Sequence, residues 1–194
     1  MSKQENEKRA LLRACETLYG EIRNGWSCYC LSKALDQAVL NRRFTSTPQL
    51  VQTTYRACLN EALLSLSKLT DTHKDALTIQ RLINRTRQYL NRYAASQGVP
   101  ALEAHARLLF DYDELIKDVR QLRDKLIVHT DRGFAASPPQ SLTELNEIPI
   151  QLIGALYLEI QLTLNFVRES LDAAPYDFES IESGIQKEID SLIR

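Results

Sequence analysis

Apolar residues along this chain recur three and four positions apart rather than at every second position, a rhythm that predicts helices and no strands. Glycine, proline and small polar residues collect between the apolar runs and divide them. The first run extends from about Lys8 to Arg42, where Gly20 and Gly25 predict a kink or a second start at Trp26. Thr47 ahead of Pro48 predicts an N-cap and a first-turn proline for a helix bearing Val51, Tyr55, Cys58, Ala62, Leu66 and Leu69. Thr72 with Asp75 predicts the next start, on a helix with Leu82, Ile83, Tyr89 and Leu90, and Gly98 before Pro100 predicts its left-handed stop.

From about Ala101 to Val128 the positions Leu108, Tyr112, Leu115, Val119, Leu122 and Leu126 alternate four and three apart, which predicts one long amphipathic helix. The segment G-F-A-A-S-P-P-Q, residues 133–140, predicts a loop; Ser141 with Glu144 then reads as a capping box whose start Pro149 breaks. A second strong stripe follows, from Ile153 through Tyr157 and Leu164 to Leu171, and beyond Pro175 a short acidic helix begins at about Asp177. Such faces bury one another best as an all-α antiparallel bundle of about five to six helices. A single domain over residues 1–194 is expected, with a helical extension to about residue 25 and a short C-terminal helix from about residue 175.

Charge narrows the classes of partner. Lys plus Arg number 24 against 25 Asp plus Glu, a formal net charge of −1, so no overall field draws the molecule onto nucleic acid or acidic membranes and any polyanion contact must be local. No stretch reads as a membrane span, and the charged N-terminus M-S-K-Q-E-N-E-K-R lacks a following apolar run; a cytoplasmic protein without a membrane partner is expected. Cys15, Cys28, Cys30 and Cys58 supply one C-x-C pair and no second pair to complete a tetrahedral site, so reduced cysteines and neither metal nor cofactor are expected.

The long stripe breaks its own rule near its end. With Leu122 set at zero and about 100° per residue, Arg123 falls at about 100°, inside the apolar face, while Arg120, Asp124 and Asp131 take the opposite side. The same rhythm continued past Leu126 puts His129 on the other margin of that stripe. A packed histidine and an arginine laying its methylenes on apolar surface would account for both without any chemistry. Their position beside the glycine- and proline-containing loop instead suits a working site.

R-D-K-L-I-V-H, Arg123 to His129, fits the R-x(4–6)-H motif, and with L-S-L-S-K-L-T-D, residues 64–71, on an earlier helix the chain resembles HEPN domains of the abortive-infection, or phage-exclusion, branch over roughly Trp26 to Leu171. The resemblance implies a metal-independent endoribonuclease, a toxin or phage-defence effector, that acts at a homodimer interface and leaves 2′,3′-cyclic phosphate and 5′-hydroxyl ends. In that scheme His129 transfers a proton near neutral pH, Arg123 stabilises phosphoryl charge, and Asp124 orients one of them. Residues six apart on a straight helix stand about 120° and about 9 Å apart, so either a second chain or a helix that bends or ends near Val128 must bring the groups together. The family also implies an antitoxin partner, among them a nucleotidyltransferase that modifies a tyrosine two places after the histidine; Thr130 and Asp131 occupy that stretch here, and such modification is not expected.

A second candidate feature is basic. Arg81, Arg85 and Arg92 lie within about 40° of one another on the third helix, edged by Tyr89 and Tyr93, and with Lys125 they are the candidate RNA-binding cations. A solvated face of a surface helix would look the same. His73 reads as a turn residue and His105 as a helix-surface residue without partners. The alternative to an enzyme is a helical interaction module whose Arg123/His129 face forms a dimer or docks a partner.

Overall fold

The computed structural model describes residues 2–40, 49–93, 98–132 and 148–192, with the described side chains of the fifth helix ending at Asp124. Seven helices and no strand occur among these residues: α1 (Lys3–Leu40), α2 (Gln49–Leu69), α3 (Ile79–Tyr93), α4 (Gly98–Phe110), α5 (Asp113–Arg132), α6 (Ile150–Glu169) and α7 (Glu179–Leu192). The class is all-α, as the apolar rhythm predicts. α1 runs along α2 and also touches α3, α6 and α7; α4 lies against α3 and α6; α5 packs on α2. A main core joins them, with Ile22, Leu66, Leu82, Leu102, Leu156, Tyr157 and Leu164 fully buried in it, and a smaller cluster of Ala34, Leu35 and Ile189 ties α7 to α1. Residues before 25 belong to that core through Leu11, Cys15, Leu18 and Ile22.

α1 is continuous where the glycines predict a kink or a second start. Gly20 has open space beside it and Gly25 none: a Cβ at Gly25 would strike the Tyr157 hydroxyl and the Ser65 side chain. Gly25 therefore serves close approach between helices rather than a break in one. Across that gap the buried Ser65 hydroxyl donates to the Glu21 carbonyl of α1 at 2.8 Å, and the Tyr157 hydroxyl of α6 donates to the Ala62 carbonyl of α2 at 2.6 Å. Burial pushes the Tyr157 phenol far above its ordinary pKa, so it stays a neutral donor. Gly154 of α6 does the same service one helix away, where a Cβ would meet the Tyr29 ring.

The predicted long helix from about Ala101 to Val128 is two helices. The Asp111 N–H reaches the Arg107 and Leu108 carbonyls, each at 3.2 Å, and the Tyr112 N–H reaches Leu109 at 3.2 Å, a tightening that ends α4. Leu102 and Leu109 of α4 are buried where that helix meets α3 and α6, whereas Leu115, Ile116, Val119 and Leu122 of α5 are buried on a helix whose partner is α2. Two partners in different directions cannot be served by one straight helix. The acidic first turn of α5, Asp113 and Glu114, suits its positive N-terminal end.

Other boundaries move for local reasons. α3 opens after Thr78, whose hydroxyl oxygen accepts the Arg81 N–H at 3.4 Å, rather than at Thr72. Gly98 begins α4 instead of stopping α3, with Pro100 in the first turn where its missing N–H costs nothing. Pro149 is the N-cap of α6, as the broken start implies, while the Thr47–Pro48 cap and the Ser141/Glu144 box lie outside the described residues. By length and composition α6 could cross a membrane, which the apolar pattern alone does not suggest. Here Ile153, Leu156, Ile160, Leu164 and Val167 face the core, and Gln161 and Thr163 are buried beside them.

The two glycines of α1 are expected to respond oppositely to the same change. Gly25→Ala should destabilise the fold by about 1–3 kcal/mol through overpacking, whereas Gly20→Ala, exposed and within a helix, should stabilise it by roughly 0.5–1 kcal/mol. Chemical denaturation of the two variants beside the native protein reads both; equal effects would remove the packing role given to Gly25.

Candidate functional site

The site is built where α2 ends. The final carbonyls of any helix lack partners within it and carry partial negative charge, so they attract cations. Thr70 turns the chain, with its N–H and hydroxyl both donating to the Leu66 carbonyl at 3.0 and 2.8 Å. Its own carbonyl accepts from the Arg120 guanidinium of α5. The next residue, Asp71, accepts the His73 N–H at 2.9 Å on one oxygen and Arg123 Nη1 at 3.4 Å on the other. The His73 N–H holds the Asp71 carboxyl below the usual carboxylate range, with Arg123, the Thr72 N–H and Arg120 adding to the effect and desolvation opposing it. Two arginines three residues apart on α5 thus grip the polar end of α2.

Arg123 is the better held of the two candidate groups. Its Nε and Nη2 reach the same Asp124 oxygen at 2.8 and 2.7 Å, its Nη1 faces Asp71, and 24% of the side chain remains exposed. Its place within an apolar stripe is explained by α2, which offers leucines to the stripe and a carboxylate to the guanidinium. Asp124, more open, sets the plane of that guanidinium. Lys125 and His129 are helical residues of α5, which runs unbroken to Arg132; their side chains are not among those described, so Arg123 and His129 are related here only by their register on one helix. Among the described residues no group of His, Cys, Asp and Glu is arranged to hold a metal.

Beside this grip opens a cleft of about 820 Å³, walled by the α2–α3 connection, α3, α4 and the first turns of α5. Thr70, Asp71 and Arg120 form one wall, Arg81 and Arg107 contribute to the others, and Phe110, 74% exposed, is part of its lining. The basic stripe of α3 does not act as one surface. Arg81 lines the cleft, Arg85 is exposed, and Arg92 is bonded to Glu7 of α1 at 2.8 and 3.0 Å and leans over Tyr93. His105, expected to be without partners, has Nδ1 3.1 Å from Glu159 of α6 and its ring centroid 5.1 Å from that of Phe166. A helical wheel drawn for α4 alone carries no information about α6.

Asp71 and Arg120 are the residues of this candidate site that sequence reasoning passes over. For Asp71 a signal exists: a carboxylate immediately after a helix end sits against the unfavourable pole of the helix and calls for a cation. The wheel puts Arg120 on the solvated side with Asp124. It is half-buried instead, because the neighbour it meets is a polar helix end that no apolar pattern registers.

The HEPN AbiU2 family model matches residues 8–150, from the first turns of α1 to the start of α6. The match begins earlier and ends earlier than the resemblance read from the motifs, and it contains Asp71, Arg123 and His129. No curated protein and no solved structure matches the chain at a significant level. The bundle, the motif on α5 and a match over most of the chain agree: this protein belongs to the AbiU2 family of HEPN abortive-infection domains.

Proposed function

We propose that the protein is a cytoplasmic, metal-independent endoribonuclease that acts as a toxin or phage-defence effector. The observation that carries the reading is the state of Arg123: a permanently charged, planar group, fixed between two carboxylates with 24% of its side chain still exposed. An arginine so held keeps one N–H on each Nη for phosphoryl oxygens, where charge develops as the bond to phosphorus forms. His129 supplies the proton transfer. The ribose 2′-oxygen attacks the adjacent phosphorus as its proton passes to one imidazole; the bond to the 5′-oxygen breaks as that oxygen takes a proton from an imidazolium. The products are a 2′,3′-cyclic phosphate and a 5′-hydroxyl.

The continuity of α5 favours the version of this mechanism that needs two chains. A helix that stays regular to Arg132 keeps Arg123 and His129 about 120° and about 9 Å apart, so a break at Val128 does not unite them. Two copies meeting about a two-fold axis present two arginines and two histidines to one phosphate, one histidine as base and the other as acid. The competing reading, a non-catalytic interaction module, draws on Leu152, Leu158 and Leu162, all exposed and within about 120° on the outer side of α6. Such a row serves a partner protein without any chemistry.

Light scattering at tens of micromolar should give the mass of a dimer, and specific activity should fall on dilution below the dimer's dissociation constant. A monomer whose activity ignores dilution contradicts the shared site. Arg123→Ala and His129→Ala should each lower cleavage of single-stranded RNA by about 100-fold or more while helicity and dimer mass persist. In the same assay EDTA should leave the rate unchanged and the product ends should be cyclic. Normal cleavage by both variants, or a native protein that leaves a broad panel of RNAs intact, transfers the assignment to the interaction module.

A further inference from the structure

We infer that the cleft between α3, α4 and the start of α5 is a subsite for one unpaired nucleotide of the RNA, with its base stacked on Phe110 and an adjoining phosphate held by Arg81 and Arg107. The identity of the strand rests on the ribonuclease reading; everything else rests on the charges and shape of the cleft.

The cleft's charges sort into those already satisfied and those left over. Asp71 is tied to Arg123 and the His73 N–H, and Asp113 to Lys117 at 2.9 Å; Arg120 donates to the Thr70 carbonyl, which anchors it on the wall but leaves its charge without a carboxylate and its buried Nε without a partner. Among the described residues Arg81 and Arg107 form no ion pair, whereas Arg87 and Arg92, on the same helix as Arg81, are paired with Glu103 and Glu7. Two unengaged guanidinium groups lining one concavity offer a phosphate the charge-assisted bonds they otherwise lack. The leftover carboxylate, Asp111, follows Phe110 directly and also lines the cleft. It repels a second phosphate and accepts N–H groups from a base edge, which orients the nucleotide with its base toward Phe110 and its phosphate toward the arginines.

Phe110 completes the case. An aromatic ring 74% exposed at the last residue of α4 gains little from folding in that position. It does suit a base with a free face, and base–aromatic stacking is worth about 1–3 kcal/mol per base. A volume of about 820 Å³ lies within the usual range for a small-molecule site, which is room for one splayed nucleotide. The cleft shares Asp71 with Arg123, so a strand anchored there is carried directly to the proposed phosphate site.

The test uses the full chain and a labelled single-stranded RNA with 2′-O-methyl groups throughout, which lacks the nucleophile and so reports binding without cleavage. By anisotropy, Phe110→Ala should weaken binding about 5- to 100-fold. The double variant Arg81→Gln/Arg107→Gln should weaken it at least about 10-fold and flatten its salt dependence, by roughly 0.7 in slope for each phosphate no longer held. Arg23→Gln, an exposed arginine outside the cleft, controls for net charge and should bind as the native protein does. Native-like binding by both cleft variants, or equal affinity for a duplex of the same RNA, overturns the subsite even if the native enzyme cleaves RNA. Binding that depends on Phe110 and the arginines in a protein that cleaves no RNA upholds the subsite and overturns the ribonuclease reading instead.

Discussion

A tyrosine hydroxyl buried in a helical core must find its acceptor inside the protein, and the one Tyr157 finds, the Ala62 carbonyl, fixes how α6 lies on α2. One turn further along α2, Ser65 turns the other way and bonds the Glu21 carbonyl of α1. Both bonds require backbones closer than ordinary side chains allow, and Gly25 supplies the room. The two bonds tie α6 to α2 and α2 to α1 at one level of the bundle, and the end of α2 lies only about a turn beyond it. Thr70 and Asp71 stand at a defined height above the core, and from there they position Arg120 and Arg123 of α5. The candidate site is thus an extension of a core hydrogen-bond arrangement into solvent.

How far the sequence discloses this follows the kind of interaction involved. The apolar rhythm reports burial, so the class, the stripe of α6 and the anomalous Arg123 are legible in it. It is blind to direction, so the change of partner between α4 and α5, with Asp111 and Tyr112 at the break, looks like one long helix. Glycine misleads for a related reason. As a residue it signals flexibility, yet Gly25 is used for proximity between helices, which only the placement of Tyr157 and Ser65 reveals. Polar long-range pairs leave the faintest trace: Arg120 and His105 look like surface residues until Thr70 and Glu159 arrive beside them.

Net neutrality, which argues against a nucleic-acid partner of the whole surface, is compatible with a local one. The cations of α3 divide, Arg92 paired with Glu7 of α1 and Arg81 lining the cleft. What would matter for a polyanion is therefore the placement of individual guanidinium groups, not the total. Such an arrangement favours binding of one or two phosphates of a flexible strand over tracking along a long duplex.

If the end of α2 acts on RNA through Arg123, Asp71 is a positioning residue whose influence on the chemical step, as distinct from strand binding in the cleft it also lines, passes through that guanidinium. A double-mutant cycle measures this, with kcat at saturating single-stranded RNA determined for the native protein, Asp71→Asn, Arg123→Ala and the double variant. Asp71→Asn should then lower cleavage by about 10- to 100-fold in the native background and have no further effect once Arg123 is alanine. An equal loss in both backgrounds, or no loss in either, would contradict that role for the α2 end.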